Sequence, residues 1–316
     1  MLRHDGGVMQ LPEGNDCPLP PGEVVNRWAL RVDGYLGGRA NLHWRVSRGG
    51  RPLVLRRYQE KPIGDIGYEL RVLQRLDALG WPVPVAVDEL LVVDGRTWCL
   101  FTWLPGASPT VTESRSEQRA LGRLLARLHA DLETLVDLGQ RPGCQRAEAL
   151  LADPVLRRRL RDYERLFPEQ ARILRWHVDR ANECFDALDL RDRRLIVIHS
   201  DFGLPNLLYQ DGKLTGVIDF EGTHLNHRAS DFALGWRAKR DEIVRGYDEV
   251  RPLDELDWAL LTPALWSWVF LGVADEIHAM TTGAIKPHGF DWQVGVLRRR
   301  SPLMGVAGVP YPDLPR

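Results

Sequence analysis

The segment His199-Ser200-Asp201-Phe202-Gly203-Leu204-Pro205-Asn206 sets a carboxylate and a carboxamide five positions apart, directly after the apolar run Leu195 to Ile198. A second carboxylate, Asp219, follows Gly216-Val217-Ile218 and precedes Phe220 and Glu221. This set of side chains suits phosphoryl transfer to a hydroxyl. That reaction needs little covalent help from a protein, but it needs a carboxylate to orient the attacking hydroxyl and take its proton, and oxygen ligands for a metal. Asp201 is the candidate base, and Asn206 and Asp219 are hard oxygen ligands of the kind Mg²⁺ accepts beside phosphate oxygens. A turn can bring Asp201 and Asn206 to one side, and a hairpin through Asp211-Gly212 can return Asp219 next to them. Taken alone, the H-x-D-x-x-x-x-N spacing also fits a solvated turn; the apolar strand before it and the hairpin after it separate the two readings.

The elements that must position these residues change character once along the chain. Trp28 to Leu36, Leu42 to Val46 and Leu53 to Tyr58 are short β-prone runs divided by glycine-containing turns. A helix is expected over Gly67 to Leu79, then strands over Val85 to Val93 and Arg96 to Trp103, joined by Asp94-Gly95. Five strands and one helix therefore precede Pro105-Gly106. Helical periodicity dominates afterwards: Leu121, Leu124, Leu125 and Leu128 share a face of a helix expected near Ser116 to Ala130. Short strands return at Leu195 to Ile198, Leu207 to Tyr209 and Leu214 to Ile218 before helices resume. The expected organisation is an arm over 1–23, a nucleotide-binding lobe over 24–104, a catalytic and substrate-binding lobe over 105–281 and a tail over 282–316, with neither end contributing core. The fold class is α+β: a small antiparallel sheet with one main helix, then a larger, mostly helical part.

Helical spacing puts Glu69 on one face with Val72, Leu73 and Leu76, so its carboxylate points inward and demands a partner. In an extended strand Val54, Arg56 and Tyr58 share a face, which makes Arg56 the expected partner, with Arg57 and Lys61 as rivals.

Together these segments resemble the aminoglycoside phosphotransferase and choline kinase family, distant relatives of protein kinases, over most of the chain. The resemblance implies a two-lobed protein-kinase-like fold and an ATP- and Mg²⁺-dependent kinase acting on a hydroxyl of an aminoglycoside-, amino-alcohol- or amino-acid-like small molecule. Gly37-Gly38-Arg39-Ala40-Asn41 resembles the hairpin that covers the phosphates, Val54-Leu55-Arg56 the strand carrying the basic phosphate contact, and Glu69 the helix acid paired with it. Thr102, Trp103 and Leu104 resemble the hinge that holds adenine through backbone groups. The resemblance makes His199 an organiser of the loop behind Asp201, and Asp231 a carboxylate hydrogen-bonded to that loop. Two departures stand out: Gly203 where many relatives have histidine, and Glu221 in place of the glycine of a D-F-G element, with metal or substrate as its expected contact. A regulatory pseudokinase is the alternative of another class, opposed by the intact Asp201, Asn206 and Asp219. A protein Ser/Thr kinase is opposed by the short interval between Asp219 and Asp231, which leaves little room for an activation segment.

Composition narrows the partners. Lys plus Arg total 42 against 43 Asp plus Glu, a formal charge of -1, with no basic block to serve a nucleic acid. The four scattered cysteines offer no paired spacing for zinc or a redox dithiol, and the N-terminal stretch lacks the apolar run of a signal peptide, so a cytoplasmic protein is expected. Trp258 to Ala274 carries no charge, but it contains Thr262, Pro263 and Ser267 and is read as a buried core helix with no membrane span. Asp254, Glu255, Asp257, Asp275 and Glu276, together with Trp236, Trp258, Trp266 and Trp268, could line a pocket for a cationic acceptor.

Overall fold

The computed structural model describes residues 18–38, 41–109, 114–233 and 241–298. Two compact units emerge, the first formed by Met1–Val111 with Leu204–Gly222 and the second by Thr112–Gly203 with Thr223–Arg316. Arg39, Ala40, Trp236, Cys17, Arg299 and Arg300 lie outside the described residues.

The first unit opens with α1 (Gly22–Arg27), then β1 (Arg31–Gly37), β2 (Leu42–Arg48), β3 (Arg51–Arg57), α2 (Ile66–Ala78), β4 (Leu91–Val93) and β5 (Arg96–Thr102). The strands form an antiparallel sheet in the order β1-β2-β3-β5-β4. Strand alternation gives the sheet two different faces. One carries Trp44, Val46, Leu53, Leu55, Trp98 and Leu100 into a core shared with Val24 and Trp28 of the α1 region. The other presents His43, Val54, Arg56 and Phe101 to a cavity. Asp94 and Gly95, at φ 51° and 69°, make the tight turn that twists β4 onto β5. Asp65 caps α2 by accepting from the Tyr68 amide at 2.8 Å.

The second unit begins with α3 (Arg115–Leu132), a 3-10 segment over Glu133–Leu138, α4 (Ala147–Ala152), α5 (Pro154–Glu164), α6 (Pro168–Asp186) and β6 (Ile196–Ile198). The chain then returns to the first unit through a turn at Leu204–Asn206, the hairpin of β7 (Leu207–Gln210) and β8 (Lys213–Val217), and a turn at Phe220–Gly222. Asp211 and Gly212, at φ 51° and 74°, supply that hairpin's left-handed turn. The second unit resumes with β9 (His224–Asn226), antiparallel to β6, then α7 (Asp241–Asp248), α8 (Glu255–Val269), α9 (Val273–Thr281) and α10 (Asp291–Leu297).

Helices α3 and α7 touch backbone to backbone. A Cβ at Gly122 would lie 1.9 Å from the Ile243 carbonyl oxygen, and one at Gly246 would lie 2.2 Å from that of Arg119. Only glycine permits that approach.

Several expectations need correction. The strand expected over Val85 to Val93 shrinks to Leu91–Val93: Val85 to Val87 pair with β5 only through an isolated bridge, with Thr102 N to Val85 O and Val87 N to Leu100 O both 2.9 Å, and Asp88 and Glu89, poor strand formers, interrupt the run before β4. Helix α1 was not expected, and neither was β9. Residues 283–298 are not bare tail, since Phe290, Val296 and Leu297 are buried and the Phe290 amide donates to Gln170 and Tyr163. The apolar stretch around Trp258 to Ala274 divides into α8 and α9 at Gly272, which takes φ 75°. Residues 255–281 pass the length and composition test for crossing a membrane, but this stretch is mostly buried among the unit's own helices.

Candidate active site

A cavity of about 410 Å³ is lined wholly by residues of the first unit. Leu36, Val54, Leu73 and Phe101 give it apolar walls, while Arg56, Glu69, Asn206 and Asp219 converge as its polar groups. Gly37, Gly38, Thr102, Trp103 and Leu104 also line it, so the residues expected at the hairpin, the hinge and the metal site meet here. Size and lining suit a ligand with a flat apolar end and an anionic end.

The anionic end is set by a buried ion cluster. Arg56 Nη1 donates to Glu69 Oε1 at 2.9 Å, and Tyr58 Oη donates to Glu69 Oε2 at 3.3 Å. Arg56 Nη2 donates to Glu221 Oε2 at 2.9 Å and lies 3.8 Å from Asp219 Oδ1. Burial works against the charge on Arg56, but Glu69, Tyr58, Glu221 and Asp219 overcome it and hold the guanidinium firmly protonated. Its Nε is buried without a hydrogen-bond partner. Such an orphan donor is costly and fits a guanidinium built to receive a further anion such as a phosphate.

Glu221 joins this cluster. Its carboxylate is held by Arg56 and by the Asn41 carboxamide, and Asn41 Oδ1 accepts from the Gln59 amide at 2.9 Å. Burial, and then the nearby Asp219 charge, push the Glu221 carboxyl up to about 7 against the opposing pull of Arg56.

Backbone geometry brings the two proposed metal ligands together. Asn206 O accepts from the Ile218 amide at 2.9 Å, and the Val217 amide donates to Pro82 O at 2.8 Å. Asp219 then takes φ 70°, a left-handed conformation costly for a non-glycine residue and concentrated at functional sites. At the hinge, the Thr102 amide donates to Val85 O at 2.9 Å and the Thr102 hydroxyl accepts from the Val85 amide at 3.0 Å, so the Thr102 backbone amide is already committed. The Trp103 ring lies 4.9 Å from the Arg45 guanidinium.

In the second unit, the loop carrying Asp201 is clamped from behind. The buried Asp231 carboxylate accepts from the His199 amide at 2.8 Å and the Ser200 amide at 2.5 Å, and it contacts His129 Nε2 at 2.8 Å. His129 Nδ1 lies 3.0 Å from Tyr247 Oη. This chain of contacts assigns a neutral imidazole that donates through Nε2 and accepts the tyrosine proton at Nδ1. Burial lowers the His129 pKa in agreement; burial raises that of Asp231, but its donors, His129 first, outweigh this and hold it below the usual carboxylate range. Ser200 is forced to φ 77°, and His199 Nδ1, fully buried, accepts from the Asp201 amide at 3.2 Å.

Sequence reasoning missed His129, Tyr247 and His43. Only the position of His129 late in an amphipathic helix hinted at the first. Among the described residues, several of the acids and tryptophans expected to line a pocket for a cation are committed elsewhere. Asp257 is fully buried and paired with Arg193 and Arg228, Asp254 pairs with Arg193, and Glu276 contacts His288. Trp266 is core, and Trp268 packs on Trp292. Guanidinium groups thus neutralise Asp254 and Asp257.

The profile of the phosphotransferase enzyme family matches residues 32–259. The chain belongs to this phosphotransferase family. A homoserine kinase from Phenylobacterium zucineum (strain HLK1) is 29% identical over 291 residues, covering 82% of this chain and 84% of that protein. Another, from Gluconobacter oxydans (strain 621H), is 26% identical over 230 residues, covering 62% and 66%. Among solved structures, the aminoglycoside phosphotransferase APH(4)-Ia in ternary complex with ADP and hygromycin B shares the fold at a TM-score of 0.60 and 14% identity, over 87% of this chain and 95% of that one. Amicoumacin kinase hAmiN in complex with AMP-PNP, Ca²⁺ and Ami gives 0.60 and 15%, over 84% and 85%. The phosphotransferase thus has the α+β, protein-kinase-like fold that its sequence implied.

Proposed function

We propose that this phosphotransferase uses ATP and Mg²⁺ to phosphorylate a hydroxyl on a small amino-acid-like or amino-alcohol acceptor. The observation that carries the reading is the single cavity in which Arg56, Glu69, Asn206 and Asp219 meet beneath the glycine hairpin. Homoserine kinase relatives favour an amino-acid hydroxyl over an aminoglycoside one, and the arginine-neutralised acids of α8 speak against a strongly cationic acceptor.

Arg56 contacts the phosphate chain, its guanidinium fixed by Glu69 and Glu221. Trp103 and Leu104 face the base through the backbone, in place of the Thr102 amide. Asn206 and Asp219 hold Mg²⁺, which when bound neutralises charge on the phosphates. Asp201 orients the acceptor hydroxyl and receives its proton as the hydroxyl oxygen bonds to the γ-phosphorus and the bond from that phosphorus to the β-phosphate oxygen breaks, with ADP as the leaving group. Asp231, backed by His129 and Tyr247, keeps the strained Ser200 in place so that Asp201 keeps its aim. Residues 24–104 and 105–281 are read as the nucleotide-binding and catalytic lobes of a cytoplasmic enzyme.

The test is ATP consumption against homoserine and related hydroxy amino acids, amino alcohols, aminoglycosides and sugars, with the phosphorylated product identified by mass. A hydroxy amino acid or amino alcohol should be the best acceptor. Turnover only on aminoglycosides or sugars would refute the acceptor class.

A further inference from the structure

The chain that leaves the hinge, Pro105 to Ser108, runs alongside the β7–β8 hairpin, and both belong to the first unit. The Ala107 amide donates to Tyr209 O at 3.1 Å, and the Tyr209 amide returns a bond to Ala107 O at 2.9 Å. Thr215 Oγ1 donates to Pro105 O at 2.6 Å, and Ser108 Oγ donates to Pro205 O at 2.7 Å. Gly106 permits this approach: it takes φ 103°, and a Cβ there would lie 2.6 Å from Tyr209 O. The segment is therefore a strap that fastens the hinge to the hairpin region carrying Asn206.

The Ser108 bond has a particular place in this strap. A residue's φ and ψ describe how the two rigid peptide planes on either side of its Cα are turned. For Asn206 those planes carry the carbonyls of Pro205 and of Asn206 itself. The first accepts from the Ser108 hydroxyl, and the second accepts from the Ile218 amide at 2.9 Å. Both planes are thus held, and with them the direction in which the Asn206 Cα–Cβ bond leaves the backbone. Ile218 immediately precedes Asp219, so the same short frame sets the backbone at both expected metal ligands. Ser108 is exposed and does not line the cavity, while Asn206 and Asp219 do.

We propose that Ser108 is a positioning residue for Mg²⁺: through the Pro205 carbonyl it fixes the direction in which the Asn206 carboxamide is presented. This rests on the reading of Asn206 as a metal ligand and extends it to a residue outside the cavity wall. The Ser108 hydroxyl acts on the peptide beside Asn206 and on none of the groups that line the base and phosphate ends of the cavity, so its loss should register where the metal takes part. One hydrogen bond of this kind corresponds to about fivefold in affinity, or about 1 kcal/mol.

The experiment measures ATP affinity by titration calorimetry, with saturating Mg²⁺ and with the metal chelated, and adenosine affinity as a reference. It compares the intact chain with Ser108→Ala, Ser108→Thr and Thr215→Val, with thermal melts as the folding control; because Ser108 is exposed, removing its hydroxyl leaves the core intact. In Ser108→Ala the expected result is ATP binding about fivefold weaker with Mg²⁺, metal-free ATP and adenosine within about twofold of the intact chain, and recovery in Ser108→Thr, which keeps the hydroxyl. Thr215→Val loosens the strap without touching the peptide beside Asn206, so its gain in ATP affinity from Mg²⁺ should equal that of the intact chain. An equal loss with and without metal in Ser108→Ala, the same loss of the Mg²⁺ gain in Thr215→Val, or no change in any variant overturns the proposal. Failure of the intact chain to bind ATP more tightly with Mg²⁺ would instead sink the metal reading of Asn206, and the proposal with it.

Discussion

Replacing Arg56 with Met should destabilise the protein more than replacing Glu69 with Gln, although both break the same buried ion pair. At an effective dielectric near 20, the 2.9 Å contact between Arg56 and Glu69 is worth about 6 kcal/mol in gross Coulomb terms, and the equal contact with Glu221 about the same. Desolvation consumes much of this, and removing one partner of a buried pair costs about 3–5 kcal/mol in practice. Losing Glu69 leaves the guanidinium with Glu221 at 2.9 Å and Asp219 at 3.8 Å, so the cost falls to about 2–3 kcal/mol. Losing Arg56 takes the guanidinium from a Glu69 side chain only 1% exposed and from two further carboxylates. Glu221 and Asp219, 26% and 38% exposed, are partly screened and add little, so Glu69 sets the cost at about 4–5 kcal/mol. Urea unfolding of the two variants, with ATP absent, measures the difference. If Glu69→Gln proves as costly as Arg56→Met, the picture of one cation serving three acids is wrong.

Asp231→Asn should lose at least tenfold in turnover while keeping ATP affinity, because it loosens the loop at Ser200 and leaves the nucleotide cavity alone; kcat and KM for ATP separate the two effects. Its folded-state pKa is depressed, so the stability Asp231 contributes is present above the unfolded carboxylate value and lost as pH falls through the folded one. Thermal melts below about pH 4 should therefore show a shallower acid decline in Asp231→Asn than in the unaltered protein. Gly246→Ala should cost about 2 kcal/mol or more in urea unfolding, since its Cβ would meet backbone rather than a movable side chain. Glu221→Gln should weaken ATP binding several-fold and leave the acceptor's KM unchanged; an effect on the acceptor alone would return Glu221 to the substrate side.

The local parts of the site were legible because local chemistry builds them. An apolar strand, a turn and an Asp-Gly hairpin bring Asn206 and Asp219 together within a short span of chain, and helix and strand periodicities suffice to point Glu69 and Arg56 at each other. Contacts between residues far apart in the chain were not legible. Glu221 reaches Arg56 across 165 positions, and Tyr247 reaches His129 across 118, through a glycine-lined helix contact that no local pattern announces. Asp257 illustrates the opposite error: its place at the start of α8 reads as solvated or ligand-binding until Arg193 and Arg228 are seen to bury it. Asp88 and Glu89 explain the shortened strand before β4, a local signal outweighed by the β-prone residues around it.

The most direct test is single-turnover phosphoryl transfer from ATP to the best acceptor in Asp201→Asn, with ATP affinity measured on the same preparation. A base that takes the hydroxyl proton predicts that phosphorylated product disappears while ATP still binds as tightly as in the unaltered protein. Product formed at an undiminished rate would contradict the role of Asp201 and the phosphoryl-transfer chemistry built around it.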